Sequence, residues 1–85
     1  MIVSVPLPHG EGSVQMASFR TLSVAAVLRL AQASELEPLQ QFPVYASIMR
    51  DAMVDLRDWP LLEALPVDDF VQVLMNWGTA SEAAA

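Results

Sequence analysis

Six prolines constrain this chain more than any other feature, because proline removes a backbone N–H and fixes φ. Pro6 cannot donate to a strand ladder, so it is expected at the edge or end of a strand. Pro38 disfavours helix in the residue before it, and Pro43 suits the first turn of a helix. Pro60 is predicted to open a further short segment, and Pro66 is predicted to open the last helix. The chain is therefore expected to form short elements.

The N-terminal residues predict a β-hairpin. Two short runs with apolar side chains, residues 2–7 and 13–19, flank residues 8–12, which are rich in turn formers. An isolated hairpin is only marginally stable in water, so this one must pack on helices. We therefore assign residues 1–19 to a hairpin that covers part of a helical core.

Helical spacing of apolar residues begins after the hairpin and runs over residues 22–78. Ser23 is the predicted N-cap of a helix over 24–33, which is apolar nearly all round and is expected at the centre of the fold. A helical turn at 38–42, a helix over 43–56, a short segment at 61–65 and a last helix after Pro66 follow. Gly78 is the predicted C-cap, which leaves residues 79–85 as a frayed tail.

These elements predict one domain over residues 1–85. Its class is α+β, mostly α: an N-terminal β-hairpin followed by three to four short helices in a small bundle. A chain of 85 residues builds only a thin core, and disulfides cannot strengthen it because cysteine is absent. Added stability is expected from a partner protein or from self-association as a homo-oligomer.

The residue types that carry catalysis or bind metals are sparse. One histidine, His9, excludes a multi-histidine metal site, and no nucleophile-elbow motif accompanies it, so a solvent-exposed turn histidine is the favoured interpretation. The carboxylate pairs Glu35/Glu37 and Asp68/Asp69 stand beside prolines at predicted helix starts, where capping explains them more simply than chemistry. The sequence thus predicts a protein that is not an enzyme and holds no cofactor or metal.

The charge and apolar content favour a protein partner. Net charge is −6 and the four arginines are scattered, which argues against binding to nucleic acid or to an acidic membrane surface. No apolar stretch approaches the roughly 20 residues of a membrane span, and a cytoplasmic location is expected. Apolar residues make up 54% of the chain against an average of about 45–50%, so part of the apolar surface is expected to form an interface.

The candidate partner-binding residues lie on the last helix and just before it. One helical face holds Val67, Phe70, Leu74 and Trp77. Neighbouring apolar residues, including Val73, widen that face. The residues alone leave two alternatives open: all of them are core, or part of the surface receives a partner helix or strand. The candidate set is Trp59, Leu62, Phe70, Val71, Leu74, Met75 and Trp77.

Residues 59–80, WPLLEALPVDDFVQVLMNWGTA, resemble the end of the short tail assembly chaperones of long-tailed bacteriophages. Members of that family carry Leu-x-x-Leu-Pro, then two residues with an acid, then Phe and an apolar helix that ends in Trp. The positions that fill this pattern here are Leu62, Leu65, Pro66, Asp68, Asp69, Phe70 and Trp77. The family also often opens with short β-structure before its helices.

The resemblance implies a role in phage tail assembly in the host cytoplasm. Such chaperones bind the tape measure protein, a long and aggregation-prone helical protein, and recruit major tail protein subunits to polymerise around it. The rival hypothesis is a small acidic phage-encoded inhibitor of a host defence protein that mimics DNA. A mimic needs carboxylates spaced along one exposed face, whereas most of the ten acids here stand at predicted helix starts.

Overall fold

The computed structural model describes residues 1–10 and 12–83. Two strands are followed by four α-helices, with single turns of 3-10 helix at 8–10, 19–21 and 56–58 between them. The elements are β1 (Ile2–Pro6), β2 (Ser13–Ala17), α1 (Val24–Ala33), α2 (Pro38–Ala52), α3 (Trp59–Glu63) and α4 (Val67–Ala83). The predicted class, α+β and mostly α with an N-terminal hairpin, is confirmed.

The hairpin turns one face toward the helices. β1 and β2 pair antiparallel, with Val3 opposite Met16 and Val5 opposite Val14, and these four side chains are buried. Strict alternation of buried and exposed residues produces this face, as expected for a half-buried strand pair. Pro6 is the last residue of β1, so its missing N–H interrupts no later ladder bond within that strand.

The core lies between this face and helices α2, α3 and α4. Its twelve buried members come from both strands and from the segments that face them: Val3, Val5, Val14, Met16, Ile48, Met49, Ala52, Met53, Leu62, Phe70, Val73 and Trp77. Helix α4 lies along β1, whereas α2 approaches β2. The chain after α2 also joins the sheet, because the N–H of Val54 donates to the Gln15 carbonyl at 3.2 Å.

Helix α1 has the bounds that its sequence pattern predicts, and the Ser23 hydroxyl caps it by accepting from the Ala26 N–H at 3.1 Å. Its predicted central position is wrong. Only Ala33 is buried, while Val24 is 76% exposed and Leu28 is 56% exposed. Because the hairpin, α2 and α4 already fill the core, α1 is left to cover the outside of α2.

Helix α2 differs from the predicted helix over 43–56 at both ends. It begins at Pro38 and contains Pro43 within it, so the predicted separate turn at 38–42 is part of the same helix. It ends at Ala52 because Met53 adopts extended backbone and pairs with Met16 of β2. Contact with the sheet, which local sequence does not encode, therefore sets this end.

Helix α4 runs past Gly78 and ends at Ala83. The predicted C-cap at Gly78 and the predicted frayed tail are therefore wrong for residues 79–83, while residues 84–85 lie outside the described residues. The physical reason is a tertiary hydrogen bond: the hydroxyl of buried Ser81 accepts from the Phe19 N–H at 2.8 Å. Over residues 1–10 and 12–83, no helix combines the length and apolar character needed to cross a membrane.

Candidate functional site

Three of the seven candidate binding residues are core. Leu62 and Trp77 have no exposed surface, and Phe70 is 8% exposed. The Trp77 indole N–H donates to the Ala17 carbonyl at 2.9 Å, and its ring meets Phe19 edge-on at 5.3 Å. Leu62 and Trp77 therefore stabilise the fold and present no surface to a partner.

The other four candidates divide between two environments. Val71 and Met75 stand one turn apart on the exposed side of α4, with 38% and 61% of their surface accessible. Trp59 and Leu74 are partly buried and pack against the core. The seven residues thus do not form one continuous surface.

The inward stripe of α4 is shifted from the predicted one. Its buried members are Phe70, Val73, Trp77 and Ser81, whereas Val67 is 59% exposed. Positions i, i+3, i+7 and i+11 satisfy helical periodicity as well as the predicted set does. Helical periodicity alone therefore could not tell whether Val67 or Val73 faces the core. Packing of α4 against β1 buries Val73 and leaves Val67 exposed.

An apolar groove opens where α2 passes the beginning of α4, with α3 between them. The volume of this open groove is about 400 Å³. Ten residues line it, nine of them without charge: Leu39, Phe42, Pro43, Ala46, Trp59, Leu62, Glu63, Leu65, Val67 and Phe70. Trp59, Leu62 and Phe70 of the candidate set belong to this lining, but Leu62 lies behind it with no accessible surface, so the structure brings only Trp59 and Phe70 together at this groove.

Three aromatic rings line the groove and contact one another. The rings of Phe42 and Phe70 lie 6.1 Å apart, and Trp59 meets Phe70 nearly perpendicular at 6.5 Å. Such tilted and edge-on arrangements are the favoured geometry of aromatic pairs. Because Phe70 packs against both Phe42 and Trp59, the three rings form one aromatic floor.

The groove has apolar side chains at its exposed rim. Leu39 in the first turn of α2 is 81% exposed, and Val67 at the start of α4 is 59% exposed. Sequence reasoning missed Leu39 and Phe42, because Pro43 was expected to begin a new helix after them. The signal that would have found them is the helical spacing of residues 39, 42, 43 and 46 read across that proline.

Two carboxylates lie at the groove on the side of α3 and α4, while Arg50 lies on the other side, next to Ala46 and Trp59. Glu63 is the one charged residue in the lining, and Asp68 follows the rim residue Val67. Pro43 has no N–H to donate to the carbonyl of Leu39 one turn before it, so that rim carbonyl lacks its usual helical donor. On the side of α3 and α4, the groove is therefore suited to an apolar segment flanked by positive charge.

Two pairs of titratable side chains outside the groove are in contact. Exposed His9 lies 3.3 Å from Asp69 through its Nε2 atom. The guanidinium of Arg57 donates to Asp55 at 2.9 Å and lowers the pKa of that carboxyl. Within the described part of the chain, no group of three or more His, Cys, Asp or Glu residues is placed to hold a metal ion.

The protein therefore has a small α+β fold, mostly α, with an apolar groove at its surface. No family model matches the chain, and comparison with curated proteins and with solved structures finds no significant match.

Proposed function

We propose that this protein is a non-enzymatic chaperone of phage tail assembly that binds an apolar helix of the tape measure protein. The observation that carries the proposal is the groove between α2 and α4, with its aromatic floor and its exposed Leu39 and Val67. The pattern of residues 59–80, which resembles tail assembly chaperones, supports the choice of partner.

A helix is the ligand that suits this shape. An amphipathic helix presents apolar anchors at i, i+3, i+4 and i+7 and binds in grooves between helices. Burying an exposed Leu or Val side chain contributes about 1.5–3 kcal/mol, so the two rim residues together supply a substantial share of the binding free energy. Glu63 in the groove lining favours a segment with lysine or arginine beside its apolar face.

The other half of the role, recruitment of major tail protein subunits, needs a second surface. Val71 and Met75 form an exposed apolar pair on α4 and are assigned to it. The net charge of −6 keeps such a protein soluble while it covers an aggregation-prone partner in the host cytoplasm.

Co-expression with a phage tape measure protein tests the proposal. The wild-type chain should yield a soluble complex, and either Leu39→Asp or Val67→Asp should abolish it. Both positions lie in the first turn of a helix, where an added carboxylate interacts favourably with the helix dipole, so the fold is preserved.

Leu56→Asp is the matched control, because Leu56 is 57% exposed and lies outside the groove lining. This variant should keep the complex. A complex that survives both groove substitutions would show that the groove is not the binding site. Loss of the complex with the control as well would show that added charge alone disrupts it.

A further inference from the structure

The outward side of α1 carries an exposed apolar stripe. Val24, Val27 and Leu28 are 76%, 44% and 56% exposed, and Ala31 is exposed as well. The opposite side of the helix packs inward through Ala33, which is 1% exposed. Helix α1 is therefore apolar on two sides. Its inward side packs against α2, and its outward side is left exposed.

The stripe is symmetric about its own centre. Val24 and Ala31 lie at equal distances on either side of the midpoint between Val27 and Leu28. If a second copy of α1 lies antiparallel across this midpoint, each Val24 faces Ala31 of the other copy, and each Val27 faces Leu28. The small Ala31 leaves room for the branched side chain opposite it. A twofold interface joins the same patch of both copies, and this spacing of the stripe permits that arrangement.

Acidic residues are absent from α1 and from the sequence before it as far back as residue 12. Residues 12–34 contain Arg20 and Arg29 and no acidic residue, so all ten acids lie in the rest of the chain. Two copies, each with net charge −6, repel one another when their acidic parts approach. Because α1 itself carries no acidic residue, a second copy meets less repulsion at its exposed stripe than at surfaces that expose carboxylates.

The ends of α1 complement an antiparallel neighbour. The helix has no acidic residue in its first turn and no basic residue in its last turn, so its dipole is not offset by its own side chains. Glu35 and Glu37 follow its C-terminal end. An antiparallel copy brings these carboxylates toward the N-terminal end of the other helix, where anions are stabilised.

We propose that two copies of this chain associate through antiparallel α1 helices, with Val24, Val27, Leu28 and Ala31 as the contact. The contact uses neither rim residue of the α2–α4 groove, so it is independent of tape measure binding.

Sedimentation equilibrium of the full chain tests the association. The wild type should form a dimer. Leu28→Glu should raise the dimer dissociation constant by about tenfold or more, because each of the two copies would then bury a carboxylate near the twofold axis. Leu28 is exposed, so circular dichroism should stay unchanged. Leu56→Glu, the control at a residue of similar exposure that belongs to neither the stripe nor the groove lining, should dimerise as the wild type does. A wild-type monomer up to about 1 mM, or a dimer unaffected by Leu28→Glu, would overturn the proposal.

Disulfide trapping tests the orientation, since the chain has no cysteine of its own. Mixing a Val24→Cys variant with an Ala31→Cys variant under oxidising conditions should give mainly the mixed disulfide dimer. In the antiparallel pair, identical positions are about 10 Å apart along the axis, too far for a disulfide. Predominant 24–24 and 31–31 dimers would contradict the antiparallel arrangement.

Discussion

Trp77 connects three parts of the fold through one side chain. Its ring is fully buried, it packs edge-on against Phe19, and its indole N–H donates to the Ala17 carbonyl at the end of β2. The Ala17 carbonyl points away from β1, and the Trp77 indole provides its hydrogen-bond donor. A residue that sequence reasoning offered as core or contact is thus a core residue with a specific polar role.

Trp77→Phe should lower the free energy of unfolding by about 1–3 kcal/mol, because it removes the hydrogen bond and leaves the Ala17 carbonyl without this partner. Urea unfolding followed by circular dichroism measures the change. Trp59→Phe, at a half-buried ring, is the control and should cost clearly less. An equal loss for the two variants would contradict the role assigned to Trp77.

Sequence identifies apolar residues here but not their exposure. Leu61 and Leu62 are adjacent leucines in α3, yet the first is 54% exposed and the second is fully buried. A helix of five residues gives periodicity too few positions to tell them apart. For the same reason the candidate set mixed core residues such as Leu62 with surface residues such as Met75.

At the level of elements, local rules predicted the starts of α1 and α4 correctly. Ser23 caps α1 as expected, and α4 begins directly after Pro66. The ends of α2 and α4 depend on partners distant in sequence, Met16 for the first and Phe19 for the second. Local sequence has no information about these contacts, so the predicted ends were wrong.

Pro43 offers a test of α2 as one continuous helix. Pro43→Ala restores a donor for the Leu39 carbonyl and should raise the free energy of unfolding by about 1–3 kcal/mol. Pro38→Ala is the control: the first helical position tolerates proline, so its effect should stay within about 0.5 kcal/mol. Chemical denaturation of both variants gives the comparison. A loss of stability for Pro43→Ala would contradict a helix that runs through this position.

Gly78 distinguishes a helix interior from a helix end. An added Cβ meets nothing within 4 Å, and the backbone φ is not in the left-handed region, so Gly78→Ala should stabilise the protein by about 0.5–1 kcal/mol. Gly12→Ala, at φ +105°, should instead destabilise it by about 1–3 kcal/mol. Thermal unfolding shows the sign. A destabilised Gly78→Ala variant would mean that α4 ends at the glycine, as a C-cap requires.

At the scale of the molecule, the apolar excess of the sequence is divided between one core and exposed surfaces. The composition predicted that such surfaces exist, because a chain of 85 residues with 54% apolar content cannot bury them all. It could not predict their location, which depends on how α2 and α4 meet and on which side of α1 faces outward. The groove and the α1 stripe are properties of the packed molecule.

The central claim is that the α2–α4 groove holds a helix of the tape measure protein. Site-specific photo-crosslinking within the co-expressed complex tests it most directly, with a photoreactive amino acid at position 67 in one variant and at position 56 in another. Val67 lies on the groove rim, and Leu56 is similarly exposed outside the groove lining. If the groove holds that helix, position 67 should crosslink to the tape measure protein and position 56 should not. Crosslinks from position 56 with none from position 67 would contradict the claim.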